Sequence, residues 1–130
     1  MKILLDTNAL IWLLDSAGGK PFGPHAKQDL KNAGAVYASS VNLLEIRIKA
    51  MLGKLVAPAG LQDAIAASGL VNLSFGMEHA DAISNFPALS KHDPFDRMLL
   101  AQAQTESMFL LTSDRFLIGQ GLDFVLSARD

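Results

Sequence analysis

The segment most informative about the fold is Lys2-Ile3-Leu4-Leu5-Asp6-Thr7-Asn8, near the start of the chain. In it three apolar residues, Ile3 to Leu5, are followed directly by three polar ones. A short apolar run favours a buried strand, and Asp-Thr-Asn is typical of the turn that ends one. Similar runs predict strands at 35–38, 70–73 and 109–112 and a weaker one at 123–126. Helical patterns separate these runs, so we expect a parallel sheet with helices on both faces.

The helices that matter most for function follow the second strand and precede the fourth. Ser39 or Ser40 is a good cap for a helix that runs to about Leu52. Asp93-Pro94 predicts the start of another helix, with aspartate as cap and proline in the first turn. Pro58 predicts the start of a further helix through Ile65. The whole chain, residues 1–130, is expected to form one domain.

Composition narrows the possible functions. Half of the 130 residues are hydrophobic, so we expect some apolar surface to be covered by a subunit or partner, with a tightly packed core as the alternative. The net charge of −2 disfavours a protein that grips long duplex DNA. The absence of cysteine excludes disulfides and cysteine nucleophiles. No apolar run suggests a signal peptide or a membrane span, so we expect a cytoplasmic protein.

Four acidic residues lie at or near the predicted carboxyl ends of the strands. Asp6 and Asp114 follow the first and fourth strands, and Glu45 and Asp96 lie in the helices that start beside the same edge. Ligand sites in parallel sheets lie at that edge. Clustered carboxylates repel one another unless a cation neutralises them, and oxygen ligands suit Mg²⁺ or Mn²⁺. The pattern therefore predicts a divalent-metal site for phosphoryl-transfer chemistry, with RNA cleavage as the most economical interpretation.

Each acid also has an ordinary structural explanation. Asp6 and Asp114 are possible helix caps, although Asn8 offers a second cap beside Asp6. Glu45 lies in a largely apolar helix, and glutamate is rarely buried unless it is paired; its ordinary partner would be Lys49, four residues later.

Asp93 and Asp96 together resemble a capping box. We assign Asp93 to the cap and Asp96 to the site. Arg97 is expected to orient a carboxylate or contact phosphate, with a surface ion pair as the alternative. Thr112 is expected to support the site through its hydroxyl group, and His92 is interpreted as a loop or cap residue rather than a catalyst.

Four blocks of sequence resemble PIN-domain proteins, and most of all the VapC-type toxins of bacterial type II toxin–antitoxin systems. The blocks are Leu5-Asp6-Thr7-Asn8-Ala9-Leu10, Glu45-Ile46 with Ile48-Lys49, Pro94-Phe95-Asp96-Arg97, and Leu111-Thr112-Ser113-Asp114. They extend over residues 4–118 in the family's order. Asp-Thr-Asn alone is a weak motif, but the four blocks together are a strong one.

The resemblance implies a three-layer α/β/α fold with a central, mainly parallel sheet of four to five strands. It implies an endoribonuclease that cleaves single-stranded or loop RNA with one or two Mg²⁺ or Mn²⁺ ions, held by Asp6, Glu45, Asp96 and Asp114. Asn8, Arg97 and Thr112 would support the site or contact the substrate. The resemblance also implies a homodimer and a cognate VapB-type antitoxin. Relatives often carry an aromatic residue where this chain has Leu44, a position expected to be packed.

Three other interpretations compete with this one. A haloacid-dehalogenase-type phosphatase needs a second acid two residues after the first, and the chain has Asn8 there. A response-regulator receiver needs adjacent acids after the first strand, which are missing. A PIN fold that binds RNA or metal without catalysis remains an alternative, and an Asp96→Asn comparison separates it from an enzyme.

Overall fold

Five parallel strands form one sheet in this computed structural model, which describes residues 1–15, 21–87 and 93–130. The strands are β1 (Lys2–Leu5), β2 (Ala35–Ser39), β3 (Val71–Leu73), β4 (Phe109–Thr112) and β5 (Val125–Ser127). Their order across the sheet is β3-β2-β1-β4-β5, and every neighbouring pair is parallel. The predicted parallel sheet is confirmed, with β1 at its centre.

Helices connect the strands and lie on both sides of the sheet. They are α1 (Thr7–Leu14), α2 (Pro24–Asn32), α3 (Ser40–Met51), α4 (Leu61–Ala67), α5 (Met77–Ala82), a short 3-10 helix (Ile83–Asn85), α6 (Pro94–Thr105) and α7 (Arg115–Ile118). The predicted α/β architecture is therefore confirmed.

The apolar character of β1 follows from its central position. Ile3 and Leu5 belong to one buried cluster, together with Leu10 of α1 and Ile46 of α3. Leu4 belongs to a second cluster, with Leu99 and Leu100 of α6 among its members. Successive side chains of a strand point to opposite faces, so each face of β1 packs against its own layer. Burial on both faces leaves no position for a polar side chain from Ile3 to Leu5, and the polar residues Lys2 and Asp6 lie at the two ends of this buried run.

Register brings the carboxyl ends of the two central strands together. Leu5 of β1 is paired with Leu111 of β4, and the backbone N–H of Asp6 donates to the carbonyl of Leu111 at 2.9 Å. Asp6 and the residues that follow β4 consequently lie at the same edge of the sheet. This edge is where the sequence predicts the acidic site.

Some predicted details differ from the structure. The helix expected from Pro58 begins at Leu61, after Gly60, whose φ of 62° is left-handed and interrupts the helical path. The last strand covers Val125–Ser127 rather than 123–126. Asn8 does not cap α1, because that helix begins at Thr7 and Asp6 is its cap.

One face of α3 carries exposed apolar side chains. Leu44, Ile48 and Met51, with Leu52 just after the last helical residue, recur at helical spacing and expose 48%, 36%, 85% and 63% of their surface. The expectation that Leu44 is packed is therefore wrong: its neighbours Glu45 and Ile46 turn towards the interior, which turns Leu44 outward. Within the described ranges, no helix has both the length and the apolar character needed to cross a bilayer.

The C-terminal residues are fastened to the start of α2. Gly23 donates to the carbonyl of Ala128 at 3.0 Å, and His25 donates to that of Asp130 at 2.7 Å. A methyl group at Gly23 would overlap the backbone of Arg129 and Asp130. At Gly34 the nearest atom to such a methyl group is 3.7 Å away, the carbonyl oxygen of Met1.

We predict that Gly23→Ala lowers the free energy of unfolding by about 1–3 kcal/mol, the usual range for overpacking. The matched variant Gly34→Ala should be close to neutral, because its methyl group meets only ordinary contacts. Urea denaturation measures both. Equal stability of the two variants would show that the C-terminal residues are not packed as described.

Candidate functional site

A pocket of about 100 Å³ lies at the carboxyl edge of the sheet. Its lining consists of Asp6, Thr7, Asn8, Glu45, Lys49, Asp93, Asp96 and Asp114. We call this the acidic pocket. All four acids that the sequence predicts for the site line it, as does Asn8. Thr7, Lys49 and Asp93 also line it and were not predicted there.

Asp6 forms the floor of the acidic pocket and is only 4% exposed. One carboxylate oxygen, Oδ1, accepts from the N–H of Ala9 at 2.7 Å, which caps α1. The other, Oδ2, accepts from the Thr112 hydroxyl group at 2.5 Å and from the N–H of Ser113 at 3.1 Å. The Asp6 carboxylate thus both caps α1 and lines the acidic pocket, so the two roles considered for it are not alternatives.

Burial is the main influence on the charge of Asp6. It raises the pKa of the Asp6 carboxyl group, and the nearby Glu45 carboxylate raises it further. The hydrogen bonds from Thr112, Ala9 and Ser113 favour the ionised form and offset part of this rise, but the net direction is upward. The ionised form of Asp6 is therefore destabilised until a cation approaches it.

Asp114 joins the pocket from the end of β4. Its Oδ1 caps α7 by accepting from Phe116 at 2.8 Å and from Leu117 at 3.3 Å. Its own N–H donates to the Thr112 hydroxyl oxygen at 3.0 Å. Thr112 therefore bridges Asp6 and Asp114, which is the geometry expected of a supporting hydroxyl group.

Glu45 enters the pocket from α3 and is 5% exposed. The Thr7 hydroxyl group donates to its Oε1 at 2.5 Å. Thr7 is held in turn by the side-chain amide of Asn42, whose nitrogen lies 3.2 Å from the Thr7 hydroxyl oxygen and 3.1 Å from the Leu5 carbonyl oxygen. This chain of hydrogen bonds fixes Glu45 to the end of β1.

Lys49 brings a positive charge into the acidic pocket. Its ammonium nitrogen lies 2.5 Å from Oε2 of Glu45 and 3.3 Å from Oδ2 of Asp93. Burial opposes the charge of Lys49, but the hydrogen bonds and attraction of Glu45 and Asp93 outweigh burial and raise the pKa of Lys49. The four-residue spacing from Glu45 indicated the first pair. The second pair joins residues 44 positions apart, and no local pattern indicates it.

Asp93 and Asp96 flank the start of α6. Asp93 caps the helix by accepting from the N–H of Phe95 at 2.9 Å, so its predicted capping role is confirmed. Asp96 lies in the first turn and lines the pocket. Arg97 is not among the lining residues, and its Nε is a buried donor without a hydrogen-bond partner in the described part of the chain. His92 lies outside the described residues.

The donor chemistry of the acidic pocket suits a hard divalent cation, since carboxylate oxygens are the ligands that Mg²⁺ and Mn²⁺ prefer. The burial of Asp6 is also more easily explained beside a cation than without one. Within residues 1–15, 21–87 and 93–130, no three acidic or histidine side chains are close enough together to hold one ion as they stand. Ligation by three of them would require side chains to shift, and both Glu45 and Asp93 are already paired with the ammonium group of Lys49.

We predict that metal-free protein and its Asp6→Asn variant differ in the pH dependence of stability. Between about pH 3.9, the ordinary aspartate pKa, and the raised pKa of folded Asp6, the folded protein keeps a proton that the unfolded chain has released. The Asp6 contribution to stability is thus lost as the pH rises through this window. Stability of the variant relative to wild type should therefore rise with pH and then level off.

Urea denaturation in EDTA from pH 3.5 to 8 measures this difference. The matched variant Asp63→Asn replaces an exposed aspartate of α4 and should show no such trend. A difference between Asp6→Asn and wild type that stays constant or falls with rising pH would contradict the raised pKa.

Several solved structures resemble this chain over nearly its full length. One chain of VapBC2 from Rickettsia felis, bound to a DNA fragment from their promoter, is 16% identical, with 98% of each chain covered and a TM-score of 0.69. For DNA-bound VapBC from Salmonella typhimurium the identity is 20%, the coverage 98% of each chain and the TM-score 0.68. For VapBC-5 from Mycobacterium tuberculosis, a member of the VapBC family of toxin-antitoxin systems, the identity is 16%, the coverage 99% of this chain and 98% of that chain, and the TM-score 0.58. At these identities the likeness establishes the fold.

Comparison with family models identifies the family. None of the curated proteins matches the sequence. The model of the PIN domain matches residues 3–117, which include all four acids of the acidic pocket. The expected family resemblance is therefore confirmed: the chain belongs to the PIN domain family.

Proposed function

We propose that this protein is a divalent-metal-dependent endoribonuclease that cleaves single-stranded or loop RNA, and that it is the VapC-type toxin of a type II toxin–antitoxin system. The observation that carries the catalytic part is the convergence of Asp6, Glu45, Asp96 and Asp114 on one small pocket. Membership of the PIN domain family supports it. Asn8, which also lines the pocket, is not an acid, so nothing favours the phosphatase alternative.

The four acids would hold one or two Mg²⁺ or Mn²⁺ ions. When bound, such an ion lowers the pKa of water and neutralises charge that develops on the phosphate oxygens. Asp6 is suited to permanent ligation, because three hydrogen bonds fix its orientation. Glu45 is oriented by Thr7.

Asp96 or Asp114 would take the proton from the attacking water. Both are half-buried, whereas Asp6 and Glu45 are buried, so both are more open to water and to an RNA strand. A general base must come within hydrogen-bond reach of the proton that it removes. The half-buried Asp96 and Asp114 are therefore better placed to accept this proton than the buried Asp6 and Glu45.

The toxin assignment rests on the structures that this chain resembles, which come from VapBC complexes. We propose that the chain pairs with a VapB-type antitoxin, forms a homodimer and acts in the cytoplasm. The exposed apolar face of α3, made by Leu44, Ile48, Met51 and Leu52, supports a covering partner, because contiguous exposed apolar surface commonly marks interaction sites.

We predict that purified protein cuts total cellular RNA into defined fragments with Mn²⁺ or Mg²⁺ and not in EDTA. Asp96→Asn should lower the rate by about a hundredfold or more, the scale on which removal of a group that stabilises transition-state charge acts. Gel analysis of RNA with identically prepared proteins measures this.

The control is Asp63→Asn, the same chemical change outside the pocket, which should cleave like wild type. Absence of cleavage by antitoxin-free wild type would favour the alternative of a PIN fold that binds RNA or metal without catalysis. Equal cleavage by wild type and Asp96→Asn would contradict the assignment of the site.

A second prediction concerns Thr7. Thr7→Val keeps the shape of the side chain but removes the hydroxyl group that orients Glu45, and we expect a loss of about tenfold in cleavage rate or metal affinity, as for other groups that orient metal ligands. Thr7→Ser keeps the hydroxyl group and should retain most of both. Cleavage rates and Mn²⁺ titrations measure the effect, and equal behaviour of the two variants would rule out this role.

A further inference from the structure

The ammonium group of Lys49 lies between two carboxylates of the acidic pocket. It is 2.5 Å from Glu45 and 3.3 Å from Asp93, and the Lys49 side chain is 35% exposed. Glu45, by contrast, is 7% exposed at its side chain. A charge pair with one nearly buried partner is screened less by water and salt than a surface pair. Lys49 is thus a partly shielded cation within a group of acids.

Both oxygens of Glu45 have partners. Oε1 accepts from Thr7, which is a neutral donor, and Oε2 accepts from Lys49, which is a charged one. A neutral hydroxyl group remains compatible with a dication on the same carboxylate. An ammonium group does not, because two like charges within a few ångströms repel strongly in a poorly solvated pocket.

We propose that Lys49 is the internal counter-ion of the acidic pocket, and that a divalent cation binding to Glu45 displaces the Lys49 ammonium group from that carboxylate. This inference rests on the proposed metal-dependent function. In the structure Lys49 pairs with Glu45 within α3 and ties α3 to the start of α6 through Asp93. Lys49 then stabilises the pocket without metal and weakens its affinity for metal.

Mn²⁺ binding to metal-free protein, measured by isothermal titration calorimetry, tests the competition. Lys49→Met should bind Mn²⁺ roughly fivefold more tightly or better, which corresponds to the upper end of the coupling of exposed ion pairs. The matched control is Lys31→Met, which removes the same charge from an exposed position in α2. Lys31 precedes β2 and so lies towards the amino edge of the sheet, and its variant should bind like wild type.

A Glu45→Gln background separates direct competition from a general effect of charge. If Lys49 acts through Glu45, the Lys49→Met substitution should no longer strengthen Mn²⁺ binding once Glu45 is neutral. Persistence of the full gain in that background would overturn the inference. Equal or weaker Mn²⁺ binding by Lys49→Met than by wild type would also overturn it.

The wild-type protein provides a test that does not depend on a variant that folds. The NMR signals of the Lys49 ammonium end should shift on saturation with Mg²⁺, while those of Lys31 stay unchanged. An unmoved Lys49 signal at saturation would overturn the inference.

The results also separate this inference from the proposed function. Metal-dependent cleavage with equal Mn²⁺ affinity in wild type and Lys49→Met would leave the function standing and remove the role of Lys49. Failure of both proteins to bind Mn²⁺ would overturn both. Binding by Lys49→Met alone would support the competition in its strongest form.

Discussion

The rest of the site depends on the hydrogen bonds that the buried carboxylate of Asp6 accepts. It accepts from Ala9 at the start of α1 and from Thr112 and Ser113 after β4. The backbone of Asp6 extends the ladder between β1 and β4. One side chain thereby joins the end of the central strand, the first helix and the next strand. A neutral side chain could not accept all of these hydrogen bonds as a carboxylate does.

The cost of this arrangement is electrostatic. Burial destabilises the charge of Asp6, and Glu45 adds a second negative charge nearby. The protein offsets part of the excess with donors, Thr112 for Asp6 and Thr7 for Glu45, and part with the ammonium group of Lys49. We propose that a divalent cation neutralises the negative charge that these groups leave uncompensated. Functional sites commonly hold strained charges of this kind within a rigid frame.

Much of the fold around the acidic pocket can be predicted from the sequence, because there the local preferences of the chain agree with the packing of the whole domain. Ile3, Leu4 and Leu5 predict a buried strand, since a strand covered on both faces must be apolar throughout. Once the strands are parallel, the residues that follow them lie at one edge of the sheet. Asp6 and Asp114 come together there because β1 and β4 are neighbours, an order that the sequence does not predict. The capping role of Asp93 was local, because Asp-Pro at a helix start depends only on the next few residues.

The parts that sequence did not predict depend on which way a helix faces or on distant contacts. Leu44 was expected to be packed, but α3 is apolar around most of its circumference, and only the fold decides which side points outward. The prediction of a helix from Pro58 failed because a left-handed Gly60 follows it. The pairing of Lys49 with Asp93 joins α3 to α6, which no periodicity within either helix indicates. These contacts are also the ones that shape the charge of the pocket.

The central claim is that the acidic pocket is the catalytic centre. The most direct test compares Mn²⁺ occupancy of the wild-type protein with its rate of RNA cleavage. Mn²⁺ binding by calorimetry and single-turnover cleavage of an RNA that the protein cuts should be measured over the same range of Mn²⁺ concentration. If the acidic pocket is the catalytic centre, the cleavage rate rises with occupancy and has the same midpoint. Cleavage that persists in EDTA, or that saturates at a concentration unrelated to the binding midpoint, would contradict the assignment.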